Sequence, residues 1–213
     1  VDTGISVSGQ WIHYMERGYL PWNTIKTDKR WFIQALQGFA SDSKAIEQLR
    51  KLITENPVAL NRIILLHSPE FLIHLLEVVT ARKHQDIDKL IDTIYRSSID
   101  PNDTNADLAS QESMRAAWKR TLQLSAVKTS VSSRDLLQKA ILYHLSLTRL
   151  KHIDAHVNEL PVLQPHSDLI QHELKRVDQL KEHPSSEPDT INHEKIKKLT
   201  LPEEGLFISY AGL

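Results

Sequence analysis

The chain has no cysteine, and that single absence removes disulfides, thiolate zinc sites, iron–sulfur clusters and cysteine nucleophiles together. Glycine is nearly as scarce. The six glycines stand at positions 4, 9, 18, 38, 205 and 212, too scattered for a G-x-G-x-x-G turn or a P-loop, both of which need closely spaced backbone amides against phosphate. An excess of one charge is missing too: Lys+Arg number 26 and Asp+Glu 27, for a net charge of −1. No global field therefore recruits nucleic acid, an anionic membrane or an acidic substrate. No apolar run approaches the ~20 residues of a transmembrane helix, and no basic start leads into a signal-type apolar region. Recognition is left to shape. A chain of 213 residues, 40% hydrophobic and 25% charged, can bury roughly 70% of its unfolded surface without covalent staples, so one or two globular domains are expected.

Catalytic constellations are equally thin. Of the 11 histidines, His152 and His156 have the i, i+4 spacing that puts two imidazoles on one helical face, with His144, His166 and His172 near in sequence. A third ligand has no assigned place: there is no H-E-x-x-H, and His172-Glu173 and His193-Glu194 each lack the second histidine. No G-x-S-x-G elbow exists, and the carboxylates lie in polar helical faces where solvation is the default. The sequence thus offers no catalytic residue, no metal ligand set and no cofactor motif, and the expected class is non-enzymatic.

What is present is helical periodicity. Apolar residues recur at i, i+3, i+4 and i+7 through most of the chain. The expected fold is all-α, an irregular bundle of short helices with short strands at the two ends. After a strand-tolerant lead (Ile5, Val7), helices are expected at about 10–17, with Gly18 as C-cap, then at 28–39 and from Asp42 or Ser43 to Glu55. Asn56-Pro57 and Ser68-Pro69 each open a helix, at about 58–66 and 69–81. Both read as apolar round much of their circumference, so this pair is expected at the centre of the first half. A helix at about 85–95 closes that half. Residues 97–107, with Pro101 and several Asp and Asn, have linker composition. Long helices follow at about 108–127 and 133–150, and Ser167 caps another that runs through Leu180. Residues 183–189 read as exposed loop, 194–199 as a short helix and 206–210 as a strand. The expected organisation is a helical subdomain over 1–98, a linker over 99–107, a second helical subdomain over 108–182 and a terminal segment over 183–213. No repeat of 33 to 45 residues recurs.

Two features could serve a partner. Trp11, Tyr14, Tyr19, Trp22, Trp31 and Phe32 crowd the first 32 positions around Leu20-Pro21-Trp22. They either fold the loop onto the helices beside it, with the Trp22 ring across the gap between them, or form a protein-binding patch. Between Glu112 and Lys139, cations outnumber anions, while 86–107 is acid-rich. This describes either two solvated faces or a basic helix that docks on an acidic partner. The candidate partner-binding residues are therefore Trp11, Tyr14, Leu20, Pro21, Trp22, Arg115, Lys119 and Arg120.

The stretch Trp11-Ile12-His13-Tyr14-Met15-Glu16-Arg17-Gly18-Tyr19-Leu20-Pro21-Trp22 resembles the hydrophobic-x-Y-L-x-T-G-x-L-P-W signature of the contractile injection system tape-measure family, found in phage-tail-like devices of bacteria. The run of short helices around Asn56-Pro57 and Arg62 to Leu76 is similar as well. Glu204 to Leu213 resembles the start of that family's I-x-N-A-G-L-V-L-L-H-P-F element, cut after Ala211-Gly212-Leu213, so the chain reads as a span of a longer one. It departs from the pattern at Met15-Glu16-Arg17, at Asn23 where a second Trp is common, and at Tyr210 in place of Asn. The resemblance implies a scaffold that sets inner-tube length. Its partners would be hub or spike and inner-tube proteins, with a homo-oligomer matching threefold or sixfold symmetry and no nucleic acid or membrane contact. Its place would be the bacterial cytoplasm during assembly and then the particle itself. The reading from a different class is a standalone helical adaptor that binds one partner through Arg115, Lys119 and Arg120.

Overall fold

Serine, aspartate or asparagine stands directly before seven of the described helices. The computed structural model describes residues 5–22, 24, 28–96, 106–128 and 130–182. Along them run α1 (Val7–Arg17), α2 (Lys29–Ser41), α3 (Ser43–Glu55), α4 (Pro57–Leu66), α5 (Pro69–Thr80), α6 (Ile87–Arg96), α7 (Ala106–Val127), α8 (Ser133–Leu136), α9 (Leu147–His156) and α10 (Ser167–Glu182). A side-chain oxygen at each of Ser6, Asp28, Asp42, Asn56, Ser68, Ser132 and Ser146 accepts a backbone N–H of the first turn it precedes, satisfying donors that have no intrahelical partner. Asp42 ends α2 in extended geometry and caps α3 in the same residue. Pro57 and Pro69 occupy first-turn positions whose N–H would be unbonded anyway. The described residues contain no strand, so the all-α expectation holds there.

Two local expectations need correction. Val7 is the first residue of α1 rather than part of a strand, because Ser6 caps a turn earlier than Gln10. The helix expected at 133–150 is broken. α8 runs into a π-helical turn at Leu137–Ile141 and a 3-10 turn at Leu142–His144, then Leu145 turns extended at ψ 145° and Ser146 caps a new helix. The π turn shifts the helical phase, which the apolar spacing of Leu136, Leu137, Ala140 and Ile141 conceals. The loop at 183–189, the helix at 194–199 and the strand at 206–210 lie outside the described residues, as does most of the linker at 99–107.

Residues 1–177 form one compact unit and residues 178–213 another, of which only the end of α10 is described. In the first unit α7 packs on α3, α4, α5 and α6, burying Ala117, Trp118 and Leu122. The core is therefore continuous from helices before residues 97–105 to the long helix after them. α4 and α5 contribute Leu60, Ile63, Leu72, Leu75, Leu76 and Val79 to it. α4 is nonetheless not enclosed on all sides, since Val58, Leu65 and Leu66 face solvent. No described helix is long and apolar enough to cross a membrane.

Two histidines, His67 half-buried and His84 buried, tie the core together. Trp11 is fully buried, and its Nε1–H donates to His67 Nε2 at 3.2 Å. His67 Nδ1 lies 2.8 Å from the Ile63 carbonyl. Nδ1 must therefore carry the proton and Nε2 the lone pair, which is the neutral ring. A second proton on Nε2 would face the indole N–H. His84 is buried, with Nε2 2.8 Å from Thr80 Oγ1 and Nδ1 3.1 Å from Ser133 Oγ, joining the end of α5 to the start of α8. Burial pushes both rings below the ordinary 6.5; at His84 the Glu77 carboxylate opposes and the Arg82 cation adds to it. A histidine lowered on folding stabilises the fold above its unfolded pKa and loses that contribution as pH falls through 6.5 toward the folded value. The urea midpoint is thus expected to fall from pH 7.5 to pH 5. The double variant His67→Gln/His84→Gln, weaker at pH 7.5, should lose less over the same interval. Equal losses in the two proteins would contradict the assignment.

Candidate docking surface

The Leu-Pro-Trp loop takes its shape from the end of α1. Gly18 adopts φ 82° and its N–H donates to the Tyr14 carbonyl at 2.9 Å, the left-handed C-terminal cap that glycine supplies without strain. Arg62 of α4 donates Nη1–H to the Met15 carbonyl in the same last turn, and its guanidinium lies over Gly18. A Cβ built there would meet Arg62 Nη2 at 3.1 Å. Beyond the cap, Tyr19 sets its ring edge-on to His13 with centroids 5.3 Å apart. Leu20 is half-buried and Pro21 buried. The Thr24 N–H closes the turn on the Pro21 carbonyl at 2.9 Å, and Thr24 Oγ1 lies 3.3 Å from Gln10 Oε1 of α1. Gln10 Oε1 also accepts from Trp31 Nε1 at 3.4 Å, which fastens the loop to the start of α2.

This arrangement excludes the packed alternative for Trp22. Its ring does not cross the gap between α1 and α2: Pro21 takes the inner position, the turn points the next side chain outward, and Trp22 is 97% exposed. Tyr19 is 62% exposed beside it. Trp11, by contrast, is out of reach of any partner. It stands edge-on to Phe39 with ring centroids 5.4 Å apart and also touches His67 and Phe71. Tyr14 packs half-buried against the core.

The basic helix also divides. Arg120 is spent internally: Nε donates to the Ala140 carbonyl at 2.9 Å, inside the π turn, and Nη2 lies 3.4 Å from the Tyr95 hydroxyl. Arg115 is exposed and Lys119 half-exposed. The two stand one turn apart on α7 and line a groove of about 300 Å³ against Ile64 and Leu65 of α4. Sequence reading missed that groove and also a larger one of about 560 Å³ between α2 and α5, floored by Ile33, Leu36, Ala40 and Val78 and edged by Glu77, Arg82 and Lys83. Their one signal in the sequence was aliphatic residues off the main stripe, such as Ile33 and Leu65.

No group of three or more His, Asp or Glu that could hold a metal occurs among the described residues. The His152 and His156 rings do approach on α9, with centroids 4.5 Å apart, and His156 Nδ1 is engaged by the His152 carbonyl at 2.8 Å. What the surface around residues 18–24 can do is hold an indole in water on a braced turn. The brace is testable at its hinge. Gly18→Ala combines a left-handed backbone with a clash against Arg62, so a loss of about 1–2 kcal/mol in urea unfolding is expected; a variant as stable as the parent would show that the turn is not held this way.

Comparison with known proteins follows the same residues. Residues 6–213 match the family model described as contractile injection system tape measure protein. Neither the comparison with curated proteins nor that with solved structures gives a match. The match covers nearly the whole chain, including the Gly18 cap and the Leu20-Pro21-Trp22 turn whose geometry is described above, and the chain accordingly belongs to the contractile injection system tape measure protein family.

Proposed function

We propose that this chain is a length-setting scaffold on which the inner tube of a contractile injection particle polymerises, and that it meets the hub or spike through the turn carrying Trp22. The observation that carries the proposal is the family match over residues 6–213. The physical features are consistent with it. An all-α chain with a net charge of −1 has no long-range field to attract a partner, so its affinity must come from a few desolvated anchors. Trp22 is such an anchor. Covering an indole of 150–250 Å² is worth up to about 4–6 kcal/mol by area, and the backbone leading to it is held by the Gly18 cap and Arg62, which lowers the entropy lost on docking. Assembly would take place in the bacterial cytoplasm, and a threefold or sixfold copy number would let each subunit face an equivalent tube surface.

The ruler reading makes a length prediction. Tandem duplication of residues 6–182 within the parent gene keeps each copy folded and should lengthen the tubes seen by electron microscopy; unchanged length at normal particle yield would refute it. The anchor reading is tested separately by Trp22→Ala. Because the side chain is almost wholly exposed, the melting temperature should stay within about 1–2 °C of the parent, while the yield of sheathed particles drops severalfold. Normal yield with this variant would remove Trp22 from the interface.

A further inference from the structure

A second surface carries a more specific chemistry. On α4, Val58 and Leu65 lie seven residues apart on one helical face, 61% and 57% exposed. On α7, Leu108, Glu112, Arg115 and Lys119 follow the spacing i, i+4, i+7 and i+11, which is again one face, and Leu108 is 65% exposed. The two helices pack against each other, and between these stripes runs the groove of about 300 Å³ with Ile64, Leu65 and Ala116 at its floor and Arg115, Lys119 and Glu112 at its edge. Neither Arg115 nor Lys119 forms an ion pair among the described residues. Elsewhere Lys51, Lys89, Arg96, Arg134, Lys139 and Arg176 have carboxylate partners, whereas these two cations stand open to a carboxylate supplied from outside. Aliphatic side chains left in water beside two unpaired cations one turn apart complement a helix with the opposite pattern.

We infer that the α4/α7 groove seats an acidic amphipathic helix of another protein in the particle, its apolar ridge lying on Leu65 and Ala116 and two carboxylates spaced i, i+4 meeting Arg115 and Lys119. Glu112, one turn away, sets the polarity: the seated helix carries a cation or neutral polar residue beyond its two acids. The stripe from Leu108 to Lys119 is about 16 Å long at 1.5 Å per residue, so three turns of partner fill it. A groove between two helical ridges suits a helix better than an extended strand, because aliphatic side chains at i, i+3 or i+4 and i+7 enter it in sequence while the strand would leave its backbone groups unpaired. This site stands apart from the Trp22 turn and does not rest on the length-setting reading.

The experiment places a photo-crosslinker in the groove, Leu65→p-benzoylphenylalanine, in cells producing the complete particle, and maps the cross-linked segment by mass spectrometry. The expected adduct is to an acidic, amphipathic, helical segment of a different particle protein. Arg115→Glu/Lys119→Glu should reduce that adduct at least tenfold with the circular dichroism and melting temperature retained, and reversing the two acids of the mapped segment to Lys should restore it. An adduct to a second copy of this chain, to a basic or extended segment, or one that survives the double reversal overturns the inference, as does no adduct at all. Tube length in the same cells reports on the ruler independently: normal-length tubes lacking the adduct in the double reversal leave the scaffold reading intact.

Discussion

The hydrogen bond from Trp11 to His67, made inside a cluster of rings, is the contact on which the amino-terminal half depends. His67 stacks on Phe71 with centroids 4.2 Å apart, and Phe32 stands edge-on to both. α1, α2 and the α4–α5 junction are thereby held by one indole and one neutral imidazole. Truncating a buried Trp costs about 3–5 kcal/mol, a large share of the 5–15 kcal/mol that stabilises a typical domain. Its position also has consequences farther along α1. With Trp11 fixed, the Met15 carbonyl reaches Arg62, Gly18 turns under the guanidinium, Pro21 goes inward and Trp22 outward. An exposed side chain is thus oriented by a buried one two helical turns and a loop away.

Scarcity of glycine shapes the rest of the design. Helix carboxyl ends leave carbonyls unpaired, and the usual remedy is a glycine in left-handed geometry. Among the described residues Gly18 supplies it at α1, and Ala81 takes the same left-handed geometry without glycine's freedom at the end of α5. Elsewhere arginines from neighbouring elements reach carbonyls late in a helix or turn: Arg50 to Val79 at 2.8 Å, Arg120 to Ala140 at 2.9 Å and Arg176 to Tyr143 at 3.1 Å, with Arg62 on Met15 doing the same at α1. Each such bond links two elements as well as satisfying an acceptor, so a loop-poor bundle gains tertiary ties from groups that composition counts merely as surface charge. At Tyr143 the Arg176 guanidinium also lies 4.0 Å from the ring centroid, and its Nε pairs with the buried Glu173 at 2.5 Å. Burial works to raise the Glu173 pKa, and the donors Arg176, Gln138 and His172 outweigh it and hold the carboxyl below its ordinary range.

What the sequence made legible was local in origin. Asn56-Pro57 and Ser68-Pro69 announce α4 and α5 because capping chemistry acts within three residues, and the Gly18 cap follows from the same short range. The break at Leu145 was hidden because a π turn inserts a phase shift without interrupting apolarity. Which of the two alternatives holds for Trp22 was hidden for a different reason: aromatic density near a proline says that something packs, and a contact as distant as that of Arg62, 47 residues from Met15, bears on whether Pro21 or Trp22 is inside. The basic helix shows the same limit. Arg115, Lys119 and Arg120 are equivalent in a charge count, yet Arg120 is withdrawn by Tyr95 and Ala140, contacts 25 and 20 residues distant.

Subtracting those internal commitments changes what near-zero net charge means for recognition. Arg50, Arg62, Arg120, Arg134 and Arg176 are occupied by carbonyls or carboxylates, so the charge free to act on another molecule is not the total but a remainder that includes Arg115 and Lys119. Screening distinguishes that remainder from the loop. An interface built on an indole is governed by apolar area and changes little with salt, whereas one steered by two exposed cations weakens as ionic strength rises and the Debye length contracts from about 10 Å at 0.1 M. The two surfaces therefore answer to different physical variables although they lie on one continuous core. A scaffold that meets more than one protein in a fixed order can use such a difference, because the contact made by shape persists under conditions in which the contact made by charge is released.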